Sequence, residues 1–296
     1  METKKTHSGQ AKRMALKTRL SKREITVAPG IFDMISARMA DSMGFDCLYM
    51  TGFGTVASYL GLPDAGLATY TDMVNRVAAF CGGTNTPIIC DADTGYGGLL
   101  NVAHTLRGYE AAGAAGIQLE DQEFPKKCGH TPGRHVIPLE DMVSKIKVAV
   151  ESREDTNFQI VARTDARTSL GIDDALRRGE AYAKAGADVL FIESPESVEE
   201  LERIGQSFDI PLLVNVVDGG RTPQLSPVDL QKLGFSLAIY PISGLLAVAK
   251  SLKDTYSEIR SLRGTQSVES AMYPFSEMCA LMGFPEVWAF DHAHAD

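Results

Sequence analysis

The run Lys126-Lys127-Cys128-Gly129-His130 places a thiol between two lysines and an imidazole. Positive charge beside a cysteine favours its thiolate, and glycine lets a backbone approach a ligand closely. Cys47 and Cys90 sit inside apolar runs and read as small buried hydrophobes. Cys128 does not: its neighbours are charged, and Gly129, Pro132 and Gly133 punctuate a loop. A loop of this kind can carry a proton-exchanging thiol to a substrate while excluding water. Lys126, Cys128 and His130 are therefore candidate catalytic residues, His130 by tuning Cys128 or binding ligand, with a solvated loop histidine as the alternative.

A second segment, Asp91-Ala92-Asp93-Thr94-Gly95-Tyr96-Gly97, ends an apolar run with two acids spaced by one residue. Such a pair can aim at one cation. Hard carboxylate oxygens with few protein ligands suit Mg²⁺, which keeps several waters, and no histidine or cysteine set here points to zinc. An acid-rich turn capping a helix is the alternative; Glu120, ending the next run, favours the metal. Arg163 follows Gln159-Ile160-Val161-Ala162 directly, where its planar guanidinium can grip a carboxylate through two parallel hydrogen bonds. It can equally pair internally with Glu193 or Asp165, or do both. Asn215 can hold a carboxylate or hydroxyl without adding charge.

These residues need a frame. Short β-rich runs occur at Ile25–Ala28, Cys47–Met50, Ile88–Cys90, Ile117–Leu119, Gln159–Ala162, Val189–Ile192, Leu212–Val214 and Leu237–Tyr240. Amphipathic segments lie between them: Asp33–Met43, Asn101–Ala112, Leu139–Ser152, Asp173–Ala185, Val198–Ser207 and Ser226–Leu233. Gly44, Gly113, Gly186 and Gly234 mark helix ends, and Asp173 and Ser226 read as N-caps. Unbroken strand–helix alternation predicts parallel pairing, and eight repeats predict a closed (β/α)8 barrel of the TIM type. An open doubly wound sheet is the other topology. However, Thr51-Gly52, Asp91, Glu120, Arg163, Glu193, Asn215 and Ser243 all fall at or just past strand ends. A barrel gathers such ends on one face. The expected division is an N-terminal extension (1–24), the barrel (25–256) and a helical tail (257–296). The tail's Phe275, Met278, Leu281, Met282, Phe284, Val287 and Trp288 need cover, from its own barrel or from a neighbouring subunit.

Composition narrows the partners. A net charge of −9 disfavours nucleic acid and anionic membranes, while the basic cluster near Cys128 suits a small anionic substrate. No apolar stretch approaches the ~20 residues of a membrane span. Met1 to Glu24 is polar and basic without the apolar segment of a secretory signal; its lysines and arginines leave a transit peptide open, against which Glu2 weighs. Five cysteines without paired spacing fit a reducing, cytoplasmic setting.

Together, Lys126-Lys127-Cys128-Gly129-His130, the Asp91–Gly97 segment, Gln118-Leu119-Glu120-Asp121-Gln122, Arg163-Thr164-Asp165-Ala166 and Tyr240-Pro241 resemble the isocitrate lyase/phosphoenolpyruvate mutase superfamily. The resemblance runs in consistent order from about Ile25 onward. It implies a (β/α)8 barrel, a Mg²⁺ (or Mn²⁺) ion, di- or tricarboxylate substrates and a homotetramer with exchanged C-terminal helices. By position, Asp91 matches a metal ligand, and Asp93, Glu120 and Asp64 match residues holding the metal's waters. Thr51, Gly52 and Phe53 match the loop that binds the pyruvyl or glyoxylyl end. Arg163 and Asn215 match substrate-carboxylate contacts, Glu193 an acid beside Arg163, and Cys128 the thiol of the lyase branch. Gly129 and Asp91 also count among the substrate-side positions.

The chemistry so implied is retro-aldol cleavage of a substituted malate. A base takes the 2-hydroxyl proton, the carbon bond breaks to give a 2-oxo acid and an enediolate, and Cys128 protonates the latter. Tyr49 resembles the candidate base, and its pKa, ordinarily about 10, would need lowering by Mg²⁺ or Arg163. Where methylisocitrate lyases carry an arginine shortly after the last strand's Tyr-Pro, Leu245 and Leu246 follow here, which argues against a tricarboxylate. Where oxaloacetate hydrolases carry serine, Pro241 stands. The expectation is a 2,3-dimethylmalate-type lyase. The alternatives are carboxyphosphonoenolpyruvate phosphonomutase, methylisocitrate lyase and, outside catalysis, a dicarboxylate-binding module.

Overall fold

Each of the eight apolar runs forms a strand: β1 (Thr26–Ile31), β2 (Leu48–Met50), β3 (Ile88–Asp91), β4 (Gly116–Glu120), β5 (Gln159–Thr164), β6 (Val189–Ile192), β7 (Leu212–Asn215) and β8 (Leu237–Tyr240). They pair in parallel and in chain order, with β8 returning to β1 to close a barrel. The structure is a computed structural model describing residues 8–129, 133–269 and 272–295. The strands are buried along nearly their whole length, as expected of parallel strands covered on both faces. Several run past their apolar core: β3 ends on Asp91, β4 on Glu120, β7 on Asn215, and β5 includes Arg163 and Thr164. Asp91, Glu120, Arg163 and Asn215 thus belong to the sheet itself, while Thr51, Gly52, Glu193 and Ser243 lie just past their strands.

The helices are α1 (Gly9–Ser21), α2 (Met34–Ser42), α3 (Gly52–Leu60), α4 (Tyr70–Gly83), α5 (Leu99–Ala111), α6 (Leu139–Ser152), α7 (Ala166–Leu170), α8 (Ile172–Lys184), α9 (Val198–Ser207), α10 (Pro227–Lys232), α11 (Ser243–Arg260), α12 (Phe275–Met282) and α13 (Phe284–His294). Ser226 caps α10, its Oγ accepting from Asp229 N–H at 3.1 Å. Asp173 is not a cap; it lies in the first turn of α8. α7 ends immediately before, and Gly171 at φ +86 turns the chain from one helix into the next.

Alternation along the strands divides the core. Tyr49, Ile89, Val161, Phe191, Leu213 and Ile239 cluster together, and Leu16 and Leu20 of α1 join them. Leu48, Met50, Cys90, Ile117, Leu119 and Ile160 pack instead with helix residues such as Leu106, Ile146 and Leu201. The N-terminal extension therefore contains a helix integral to the barrel. Its Lys12 is buried, and Nζ donates to the carbonyls of Cys81 at 2.8 Å and Thr84 at 2.6 Å.

Of the described residues, those from 8 to 243 form one compact unit, and those from Gly244 onward form a second. Within the second, α11 runs unbroken across Tyr256, and none of α11, α12 or α13 has a buried residue. Phe275 is 83% exposed and Trp288 56%.

Candidate active site

A cleft of about 280 Å³ opens at the carboxyl ends of the strands. It is lined by Tyr49, Thr51, Phe53, Asp64, Asp91, Glu120, Lys126, Cys128, Gly129, Arg163, Glu193 and Asn215, all singled out in the sequence. Gly52 and Asp93 lie just behind this lining, bonded to residues within it. His130 lies outside the described residues.

Asp91 is held on both oxygens. Oδ1 accepts from Asp93 N–H at 3.0 Å and Gln118 Nε2 at 3.2 Å, and Oδ2 accepts from Gly52 N–H at 3.3 Å. Thr51 caps α3, so the positive end of that helix faces the carboxylate. A Cβ at position 52 would come within 2.6 Å of Asp91 Oδ2, which explains the glycine. Asp93 and Tyr96 adopt φ +51 and +58, uncommon conformations for residues with side chains, of the kind that gather at functional sites.

Lys126 is the largest departure from the sequence reading. Its Nζ turns to the acids, pairing with Asp64 Oδ1 at 2.5 Å and Asp93 Oδ1 at 2.6 Å. Burial alone would lower its pKa, but Asp93, Glu120, Asp64 and Asp91 reverse this and hold it well above the ordinary value. It is a fixed ammonium. Lys127 Nζ donates to the Gly133 carbonyl at 3.1 Å. Adjacency in sequence does not show where either ammonium ends, because a long flexible side chain seeks carboxylates and carbonyls within reach.

The acids remain under strain despite Lys126. Burial pushes the Asp91 and Glu120 carboxyls above their ordinary values and Asp93 up to about 7; nearby cations offset only part of it. Glu120 Oε1 is buried without a hydrogen-bond partner among the described residues. Among those residues no three His, Cys, Asp or Glu side chains form a complete cage.

Arg163 meets more acid than expected. Nε donates to Asp165 Oδ2 at 2.9 Å and Nη2 to Asp165 Oδ1 at 3.0 Å. Nη2 also lies 3.2 Å from Glu193 Oε2, and Nε 3.4 Å from Glu120 Oε2. The two parallel bonds go to Asp165, so a substrate carboxylate cannot take that fork; Nη1 lies outside these bonds. Asn215 Nδ2 donates to Glu193 Oε2 at 3.1 Å, which couples the two residues at the ends of β6 and β7.

Tyr49 donates its hydroxyl to Gln118 Oε1 at 2.5 Å. Burial, and after it Asp91, raise its pKa well above that of an ordinary phenol, with Arg163 opposing. Arg163 alone does not supply the lowering that a base requires. Gln118 was missed; an amide within an apolar strand was the available signal, since a buried amide demands partners. Ser194 and the wall formed by Val217, Ile239, Pro241 and Ile242 were also missed. Asp121, paired in sequence with Glu120, points to the opposite face of β4. There it accepts from Thr164 Oγ1 at 2.6 Å and Tyr182 at 2.7 Å.

Comparison with known proteins agrees with this geometry. The Phosphoenolpyruvate phosphomutase family matches residues 16–260. The chain is 47% identical over 276 residues to 2,3-dimethylmalate lyase of Eubacterium barkeri, covering 93% of this chain and 96% of that one. It is 39% identical to 2-methylisocitrate lyase of Aeropyrum pernix, covering 92% and 87%. Among solved structures, an oxaloacetate acetylhydrolase in complex with 3,3-difluorooxalacetate superposes with TM-score 0.90 at 32% identity, covering 97% of each chain. A 2,3-dimethylmalate lyase superposes with TM-score 0.89 at 33% identity, covering 96% and 95%. A phosphonopyruvate hydrolase complexed with oxalate and Mg²⁺ gives 0.87 at 29%, covering 96% and 99%.

Proposed function

The chain belongs to the phosphoenolpyruvate phosphomutase family, within the isocitrate lyase superfamily, and from that premise we propose that it cleaves a 2,3-dialkylmalate, 2,3-dimethylmalate above all, to pyruvate and propionate. The observation that carries this reading is the two-sided cleft. Acids and Arg163 line one part of it, and Phe53, Val217, Ile239, Pro241 and Ile242 supply apolar surface for methyl groups. Asp218 also lines the cleft and accepts from Ser243 Oγ at 2.5 Å; its negative charge disfavours a third substrate carboxylate.

A divalent ion, Mg²⁺ or Mn²⁺, fits the acidic end. The unpartnered Glu120 Oε1 and the upward push on Asp91 and Asp93 describe a place short of positive charge. Asp91 would bind the ion directly, with Asp64, Asp93 and Glu120 holding its waters, in keeping with the few protein ligands of Mg²⁺. When bound, it acts as a Lewis acid toward the oxygen that becomes the keto group. The chain's own groups do the rest. The N-terminus of α3 and Asn215 orient the oxo-acid end, and Glu193 steadies Arg163 against a carboxylate. Tyr49 is the candidate base that takes the 2-hydroxyl proton, a role that requires the bound ion together with Arg163 to lower its pKa. As the C2–C3 bond breaks, its electrons pass to C3, the C2–O bond becomes the keto group, and the Cys128 thiol supplies the proton at C3. Gly129 lets this backbone lie against Arg163 and Glu193.

Two measurements test the reading. With Mg²⁺, 2,3-dimethylmalate should release pyruvate, read by coupled reduction, far faster than 2-methylisocitrate or oxaloacetate. Preference for methylisocitrate would replace the proposed substrate, phosphonate formation seen by ³¹P NMR would indicate the mutase, and binding without turnover would indicate a carboxylate-binding module. Mg²⁺ at a hundredfold excess over its dissociation constant should stabilise the protein by about 2.7 kcal/mol, seen as a rise in Tm. Asp91→Asn should lose most of that rise; an undiminished rise would remove Asp91 from the metal.

The exposed aromatic residues of α12 and α13 support burial on a neighbouring copy, in a homotetramer with exchanged C-terminal helices. None of the cysteines is in a disulfide, consistent with a cytoplasmic setting. No helix among the described residues is long and apolar enough to cross a membrane.

A further inference from the structure

Ser194 follows Glu193 just past the end of β6 and is fully buried, at 0% exposure. Its φ is +56, a left-handed conformation that a residue with a side chain adopts at a cost and that glycine adopts freely. A serine kept there in place of glycine contributes a hydroxyl. That hydroxyl lies 3.1 Å from the carbonyl oxygen of Gly129 and 3.0 Å from Glu193 Oε1. The Ser194 N–H already donates to the same Oε1 at 2.7 Å. The single hydroxyl proton is therefore available to Gly129, whose carbonyl is the acceptor not served by that N–H.

Gly129 is pressed close to this corner: a Cβ added to it would sit 2.9 Å from the Glu193 carboxylate. Cys128 is its immediate neighbour and lines the cleft. The bond spans 65 residues of sequence, joining a rigid strand end to the segment that carries the thiol.

We propose that Ser194 is a positioning residue for Cys128, its hydroxyl pinning the Gly129 carbonyl to the end of β6 so that the thiol is held at the cleft. The reason for placing the thiol rests on Cys128 being the proton donor, but the tether itself can be read without turnover.

The test is alkylation of Cys128 by iodoacetamide in the full chain, followed by peptide mass spectrometry to separate it from the other cysteines. Ser194→Gly removes the hydroxyl while suiting φ +56, and Ser194→Ala removes it without that relief. Both should raise the Cys128 alkylation rate by about tenfold, the equivalent of one lost buried hydrogen bond, with Cys279 modified at its original rate. A structural role alone would lower Tm without this selective change. With an active substrate, kcat should fall while KM holds. A folded Ser194→Gly protein whose Cys128 reacts within twofold of the parent would overturn the proposal. So would failure of Ser194→Gly to fold, since the hydroxyl would then serve the fold. If the cleavage reading fails instead, the alkylation result stands unaffected.

Discussion

Cys128→Ala is expected to lower kcat by about 10²–10⁴, the range for loss of a positioned general acid, with little change in KM or Tm. The thiol is half-buried and lines the cleft, and it belongs to neither core cluster, so its removal leaves no core cavity. Cys128→Ser restores the shape but supplies a much weaker acid, and should remain within about tenfold of the alanine variant. Near-normal turnover by either variant would take Cys128 out of the proton-donor role. Lysines flanking the thiol looked like an obstacle, because a general acid must hold its proton. That obstacle is reduced: Lys126 Nζ is committed to Asp64 and Asp93, and Lys127 Nζ to a carbonyl.

Asp165→Asn should cost about 3–5 kcal/mol of stability near neutral pH, the loss seen when one partner of a buried ion pair is removed. The carboxylate is fully buried and takes both parallel bonds from Arg163 as well as a bond from Arg134 Nη1. Without it, two buried guanidinium groups lose their shared anion, and Arg163 loses its orientation at the cleft. Urea unfolding gives the first effect and kcat/KM the second. The pH dependence separates charge from shape. Burial acts to raise the Asp165 pKa, but Arg163 and Arg134 outweigh it and hold it below the ordinary carboxylate value. Such a group binds its proton more readily when unfolded. Its contribution is fully present above the unfolded value of about 3.9 and is lost as pH falls through the lower folded value. The stability gap between parent and variant should therefore hold steady above about pH 5 and narrow below about pH 4. A constant gap throughout would mean that shape, not charge, is responsible.

The strands were legible because a parallel strand buried on both faces must be a short apolar run, and every run from Ile25–Ala28 to Leu237–Tyr240 met that requirement. α6 and α9 matched at both ends because their apolar periodicity starts and stops sharply. α1 was hidden: Leu16 and Leu20 are its buried apolar residues, set among lysines and arginines that read as a polar extension and left a transit peptide open. At the site, residue types and their common face were legible; partners were not. Sequence put Lys126 with Cys128, but charge put it with Asp64. It offered Asp165 and Glu193 as alternative partners for Arg163, and the protein uses both. Gln118 and Ser194 escaped because their roles exist only once β2, β3, β4 and β6 lie side by side.

α1 has a kinetic consequence. By packing Leu16 and Leu20 among the inward-facing residues and anchoring Lys12 to the carbonyls of Cys81 and Thr84, it closes the barrel at the end away from the cleft. Traffic is then one-way in geometry and two-way in direction: what enters at the mouth must also leave there. Two fragments from one substrate cannot depart by separate doors, so they queue, and the fragment seated deeper leaves last. That last departure sets the turnover rate whenever release is slower than cleavage, and its fragment competes directly with incoming substrate for the vacated floor.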